Sequence, residues 1–310
     1  MVLYKVTYYF SAGYNPIVKM IVLSSPFTFI FLSVYLGILL IIPSIRDFFT
    51  FWLFIEIITL VLIGISYTLF TNSLSQLMVY FFIQSLSSFF VLLAFIFSSP
   101  LFFTISLVIK IGIAPLYTWY LHSVIRFPNL LFFMVSTIHK LPVLFIICQF
   151  KIQLDMPLFW LCSILSVLVR GFLIIATQDL RYLLVASSIG NNTWLILSSI
   201  SGTQGFLIFI FLYTFLFFCI VNNINLSYRI RVTSDSSRTA ILIILLCLLS
   251  ALPPSPLFLA KTYIVFNLFS LSSSFSVILA FLLSTSIIVS GYVVFCIKYL
   301  FLSYSHPFKF

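Results

Sequence analysis

At 310 residues the chain is 63% hydrophobic and only 6% charged, with a mean hydropathy of +1.28. Stretches of about 20 residues apolar enough to cross a bilayer recur along most of the chain, which excludes a soluble domain. The net charge of +10 does not point to nucleic acid, because most of the basic residues fall in short loops, where they act as orientation signals.

Continuous apolar runs such as 206–220 and 241–250 also exclude a transmembrane barrel, whose segments of about ten residues alternate polar and apolar. The expected fold is therefore all-α and polytopic. The surplus of phenylalanine, 39 residues, reads as the codon bias of an AT-rich genome. The five cysteines (Cys148, Cys162, Cys219, Cys247, Cys296) are scattered without metal or redox spacing and count as small hydrophobic residues. No Gly-rich phosphate loop, histidine cluster or soluble catalytic constellation is present.

Residues 1–25 lack arginine and a clear cleavage site, so they do not read as a targeting peptide. Lys5, Asn15, Pro16 and Lys19 also make them a poor span, and they read as an interfacial lead-in. Ten spans follow, drawn from apolar runs bounded by Pro, Asn, Ser and charge: 27–42, 48–70, 74–97, 101–121, 129–150, 157–176, 180–200, 204–226, about 240–269, and 275–302. Nine basic residues (Lys5, Lys19, Arg126, Arg181, Arg229, Arg231, Arg238, Lys298, Lys309) fall on the side of the N-terminus. Only Arg46 and Lys151 fall on the other. This bias puts both termini in the inside compartment and fits an even number of spans.

Four basic residues and one acid remain within spans: Lys110, Lys140, Arg170, Lys261 and Glu56. At 1.5 Å per residue, Glu56, Lys110 and Lys140 lie roughly 12, 14 and 16 Å from the starts of their spans, close to the midplane of a core about 30 Å thick. A lysine at that depth costs about 2.5–3.5 kcal/mol, and snorkelling is least able to relieve it there. Three spans with their charge at one depth point to a row in the membrane plane, hydrated or paired. Glu56 also suits a structural role as partner to a lysine. His139, beside Lys140, reads first as a helix-packing polar group. Arg170 lies nearer an interface, and its long side chain is expected to snorkel there.

The span 101–121 carries Lys110, then Gly112, then Pro115, a combination that weakens and breaks a helix. The ninth span is interrupted at Pro253 and Pro254, with Lys261 beyond. Each break falls on the fourth span of a five-span half, which divides the chain into residues 1–25, a repeat at 26–152, a second at 153–303, and a tail at 304–310. An odd number of spans per repeat inverts the halves, and matched broken helices in inverted halves point to an ion site at their interface. Backbone groups freed at membrane depth need protein or water as partners. Lysine suits a proton relay there because, taken out of water, it can gain and lose its proton.

Six motifs occur in one order: Trp52 through Glu56; Tyr80, Gln84 and Ser88; Lys110-x-Gly112-x-Ala114-Pro115 with Trp119; Thr137, His139, Lys140 and Pro142; Gln178, Arg181 and Ala186-Ser187-Ser188-Ile189 with Trp194; and Leu252-Pro253-Pro254, Phe258 and Lys261. In them the chain, from about Phe49 to Tyr299, resembles the NADH–ubiquinone oxidoreductase chain 2 family, the mitochondrially encoded antiporter-like subunits of respiratory complex I. The resemblance implies proton translocation in the membrane arm, driven by NADH oxidation elsewhere. Glu56 and Lys110 would form the switching ion pair, Lys140 the central relay, and Lys261 the lysine of the second half-channel. His139 and Asn191 would be candidate links. FMN, iron–sulfur clusters and ubiquinone would belong to partner subunits, with no cofactor on this chain. The partners would be other complex I subunits and phospholipids such as cardiolipin. The location would be the mitochondrial inner membrane with both termini on the matrix side.

The chain departs from the family pattern in places. The loop acid expected after Trp119 is missing from Leu121-His122-Ser123-Val124. Tyr182 replaces a basic residue, and Asn191 replaces a histidine, so a protonatable link becomes merely polar. The small pair before Leu252 is Ser250-Ala251. By the resemblance, the full-length architecture would have three more helices in front and one behind. Two other readings stay open: a cation/proton antiporter subunit of the same fold, and a membrane anchor without ion traffic. The insertion cost of the central charges speaks against the anchor.

Overall fold

The computed structural model describes residues 26–69, 74–150, 154–176, 179–224, 236–270, 286 and 289–297. The N-terminal lead-in, Arg229 and Arg231, and most of the tenth span lie outside the described residues. The regular elements are all helices, with no strand among the described residues. Seven helical stretches are long and apolar enough to cross a membrane. Large apolar side chains such as Leu40, Phe172, Phe211 and Phe266 stand exposed, as a surface facing lipid requires. The chain is a multi-pass membrane protein.

Contacts divide it into two units, up to Leu77 and from Met78. In the first, α1 (Pro26–Ile41) opens on a proline, whose missing N–H is no loss at a helix start. A short 3₁₀ turn, Ile42–Ser44, carries Pro43 and ends α1. The chain then enters α2 (Phe48–Leu69), which packs against α1. The two approach closely at Gly64, where a Cβ would lie 3.0 Å from the Phe31 ring. Glu56 sits on α2, half-buried.

The second unit holds most of α3 (Leu74–Ile96) and then the first broken helix. Its first half, α4 (Pro100–Ile111), stops at Gly112, whose backbone is left-handed (φ 75°, ψ 52°). The N–H groups of Gly112 and Ile113 both turn back to the Val108 carbonyl, at 3.1 and 3.0 Å. Pro115 prevents the helix from resuming at once. The chain re-enters a helix only at α5 (Thr118–Val124).

The next span, read from sequence as one continuous helix at 129–150, is also interrupted. It consists of α6 (Asn129–Ser136), a 3₁₀ turn at Ile138–Lys140, and α7 (Leu141–Phe150). The cause is Pro142. It has no N–H for the Ile138 carbonyl four residues back, and its ring crowds that carbonyl. Ile138 accepts from Leu141 instead, and Thr137 takes the irregular conformation (φ −126°, ψ −76°) that joins the two pieces.

The remaining helices are α8 (Met156–Ala176), α9 (Leu180–Ser201), α10 (Thr203–Asn223), α11 (Ser236–Leu249) and α12 (Pro256–Ser270). The expected break in the ninth span lies between α11 and α12. Ala251 there is left-handed (φ 61°), and the Ser255 hydroxyl accepts from the Phe258 amide at 3.2 Å to start α12. Pro253 and Pro254 lie within this turn.

α9 is the axle of the second unit. It packs against α5, α7, α8, α10 and α12, and is buried along nearly its whole length. It is also the most polar span. Its hydroxyls are settled locally: Ser187, Ser198 and Ser199 each donate to the carbonyl three residues back at 2.7 Å, an ordinary distance for an O–H donor. Asn191 and Asn192, with longer side chains, bond groups on other helices instead.

Candidate functional site

The break at Gly112 exposes the carbonyls of Lys110 and Ile111, which α4 can no longer serve. Two buried amides take their place. Gln84 of α3 donates through Nε2 to the Lys110 carbonyl at 3.1 Å, and Asn192 of α9 donates through Nδ2 to the Ile111 carbonyl at 2.8 Å. A carbonyl can only accept, so the Asn192 amide is turned with its own oxygen the other way. That oxygen receives Lys140 Nζ at 2.7 Å. One side chain therefore ties the broken helix to the central lysine.

Lys140 Nζ makes a second bond, to the Tyr120 hydroxyl at 3.1 Å, and lies 4.7 Å from the Tyr120 ring centre. The Tyr120 hydroxyl is 2.9 Å from Ser188 Oγ, and Ser188 gives its own proton to the Val185 carbonyl at 2.8 Å. The direction of the chain is thereby fixed: Lys140 to Tyr120 to Ser188 to a backbone carbonyl. It ends in the protein, so it orients Lys140 and offers no exit for a proton.

Lys110, His139 and Lys140 line one small cavity together with Tyr80, Gln84, Trp119 and Tyr120. It has room for about one water molecule. All three ionisable residues are buried. His139 also packs its ring 5.9 Å from that of Tyr80, so the packing role read from sequence holds, but it shares the cavity with both lysines. Gly112 is required twice over. Besides its left-handed backbone, a Cβ there would fall 2.7 Å from Tyr120 Cβ.

A second cationic cluster lies on the other side of α9. Lys261, on α12, is buried with Nζ 5.2 Å from the Trp194 ring centre. Arg170, on α8, was expected to snorkel to an interface. The structure corrects this: Arg170 is 0% exposed. Its Nη1 donates to Asn191 Oδ1 at 3.3 Å, and its guanidinium carbon lies 5.9 Å from the Tyr292 ring centre. Arg181, counted above among loop charges, is also buried, in the first turn of α9. It donates to the Ile125 carbonyl at 3.0 Å and to Asn129 Oδ1, and so pins the α5–α6 turn.

Of the residues expected from sequence, the structure thus brings Lys110, His139 and Lys140 together at the first break. It places Lys261 and Asn191 in the second cluster, and Pro253 and Pro254 at the second break. Glu56 belongs to the first unit, where one carboxylate oxygen, Oε1, is buried without a hydrogen bond among the described residues. Sequence reasoning passed over Asn192 and Tyr120, both bonded to Lys140. The signal for Asn192 was present, a second asparagine on the most polar span.

A model of the family described as NADH:quinone oxidoreductase/Mrp antiporter, TM, matches residues 96–288, more than half of the chain. The chain belongs to this family. Among curated relatives of the NADH:quinone oxidoreductase/Mrp antiporter member, NADH-ubiquinone oxidoreductase chain 2 of Paracentrotus lividus is 26% identical over 266 residues, covering 77% of this chain and 75% of that protein. The protein of the same name from Strongylocentrotus purpuratus is 26% identical over 280 residues, covering 81% and 79%. Among solved structures, a chain of respiratory complex I from Thermus thermophilus superposes with a TM-score of 0.71 at 17% identity, covering 88% of this chain and 69% of that one. A chain of an archaeal membrane-bound sulfane sulfur reductase reaches 0.62 at 18% identity, covering 81% and 50%. The family's antiporter-like helical fold is shared across these complexes.

Proposed function

We propose that this chain is a membrane-arm subunit of a proton-translocating NADH:ubiquinone oxidoreductase, moving protons along a midplane row formed by Glu56, Lys110, Lys140 and Lys261. The observation that carries the reading is the shared cavity. Two lysines and a histidine from two spans meet behind a broken helix, with space for water. Two protonated lysines in so dry a place repel one another strongly. A proton reaching Lys110 therefore disfavours one on Lys140, while Asn192 and Tyr120 keep Lys140 Nζ in place to give it up. Glu56 stabilises charge on Lys110 when near it and favours release when it is not. Lys261 takes the proton onward in the second half.

Redox chemistry, with FMN, iron–sulfur clusters and ubiquinone, is assigned to partner subunits. The partners are other complex I subunits, including neighbouring antiporter-like and small membrane-arm subunits, with cardiolipin-like phospholipids around them. The location is the mitochondrial inner membrane, multi-pass, termini in the matrix. The shared name of the two relatives, NADH-ubiquinone oxidoreductase chain 2, supports the assignment to that enzyme. The ten-span reading, with inverted repeats at 26–152 and 153–303, is supported by the two breaks. Each first half ends on a left-handed residue, Gly112 in one and Ala251 in the other. A cation/proton antiporter of the same fold remains the second reading, favoured by the breadth of the family.

A native gel of gently solubilised membranes separates the two. Comigration of this chain with in-gel NADH dehydrogenase activity in one very large band is expected, and migration without that activity favours the antiporter. Within the complex, Lys140→Ala is expected to abolish this subunit's pumping and leave assembly largely intact. A normal proton-to-electron ratio in that variant would overturn the relay.

A further inference from the structure

Arg170 sits in a seat built for it. Gly190 on α9 leaves the space: a Cβ there would fall 2.2 Å from Arg170 Cδ and 2.8 Å from Nη1. Asn191 supplies an acceptor at 3.3 Å, and Tyr292 a ring face at 5.9 Å. Burying a guanidinium is costly unless it is matched by an opposite charge. None of the chain's five acids lies within α8, α9, α10, α11 or α12. Arg170 bonds Asn191 and Lys261 stands over Trp194, three residues further along α9, so the two cations meet the same face of that helix. An arginine so placed cannot be a relay member, because it keeps its proton under all conditions the protein meets. What it provides is a permanent positive charge.

We propose that Arg170 is a positioning residue of the second half: its fixed charge, seated by Gly190, Asn191 and Tyr292, repels each proton that arrives on Lys261 and drives it onward to water. This rests on the proton-translocation reading above. Asn191 has no titratable group of its own. It orients the guanidinium, so the two residues together do electrostatically what a titratable link would do by accepting the proton. The step is a proton transfer alone: the proton leaves Lys261 Nζ, its N–H bond electrons stay on nitrogen, and water accepts it.

The test uses the intact complex in sealed vesicles, with proton uptake followed by a pH dye during NADH oxidation. Arg170→Gln keeps a hydrogen-bonding group of similar reach but no charge, and Arg170→Lys keeps the charge. The expected result is that Arg170→Gln assembles, oxidises NADH, and pumps no better than Lys140→Ala, whereas Arg170→Lys restores the ratio. A normal ratio in Arg170→Gln overturns the proposal. So does a loss that Arg170→Lys fails to rescue, which would make geometry and not charge the requirement. Failure of Arg170→Gln to assemble also overturns it, by making the arginine a folding residue. If Lys140→Ala itself pumps normally, the parent reading falls instead.

Discussion

Two small residues at the breaks show how much backbone conformation decides here. Gly112→Ala would put a side chain on a left-handed residue, at about 1–2 kcal/mol, and force it against Tyr120 Cβ 2.7 Å away, at roughly 1–3 kcal/mol more. The expected outcome is a sharp loss of this chain from the assembled band on a native gel. Ala251 already occupies a left-handed position, at φ 61°. Ala251→Gly should therefore be neutral or raise the thermal midpoint of the purified complex, by up to about 1 kcal/mol of stability. The lysines were legible as residues, because a charge in an apolar run announces itself. Their partners were not. Arg170 looked like a snorkelling side chain because position along a helix gives depth but says nothing of what the facing helix offers. The vacancy that receives it belongs to Gly190, twenty residues away. Asn192 was passed over because its neighbour Asn191 occupied the family's histidine position.

Among the elements, the first break was readable and the one beside it was not. Lys110, Gly112 and Pro115 together leave a helix little choice. Pro142, alone in an apolar run, read as one more residue of the span, yet it breaks the helix at Thr137 and turns His139 and Lys140 through a 3₁₀ turn into the cavity. Pro142→Ala restores an N–H that can bond the Ile138 carbonyl and lets α6 and α7 merge. Lys140 Nζ then moves off Asn192 and Tyr120. The expected phenotype is a complex that assembles and oxidises NADH but pumps at a reduced ratio. An unchanged ratio would show that the interruption has no part in placing Lys140.

In the second unit taken as a whole, polarity runs opposite to that of a soluble protein: the apolar surfaces face outward and the most polar helix lies at the centre. Native hydrogen exchange on the complex should find α9 among the last segments to open, because five helices pack on it and its amides have no path to solvent. Exchange of α9 as fast as that of the exposed faces of α10 would contradict this. The helical class and most span boundaries were legible from hydropathy, since length and apolarity are what a bilayer selects. The centrality of α9 was not, because a low hydropathy alone does not distinguish a sheltered helix from a marginal one. That same polarity bears on biosynthesis. With two asparagines and five serines, α9 is the least apolar of the seven candidate spans and the least ready to partition into lipid by itself. It gains a bilayer environment it can tolerate only in company, first with α8, which emerges just before it and carries the arginine that Asn191 receives. Synthesis of this half of the chain is thus expected to proceed by handing helices over in groups, with α8 detained at the translocation machinery until α9 arrives.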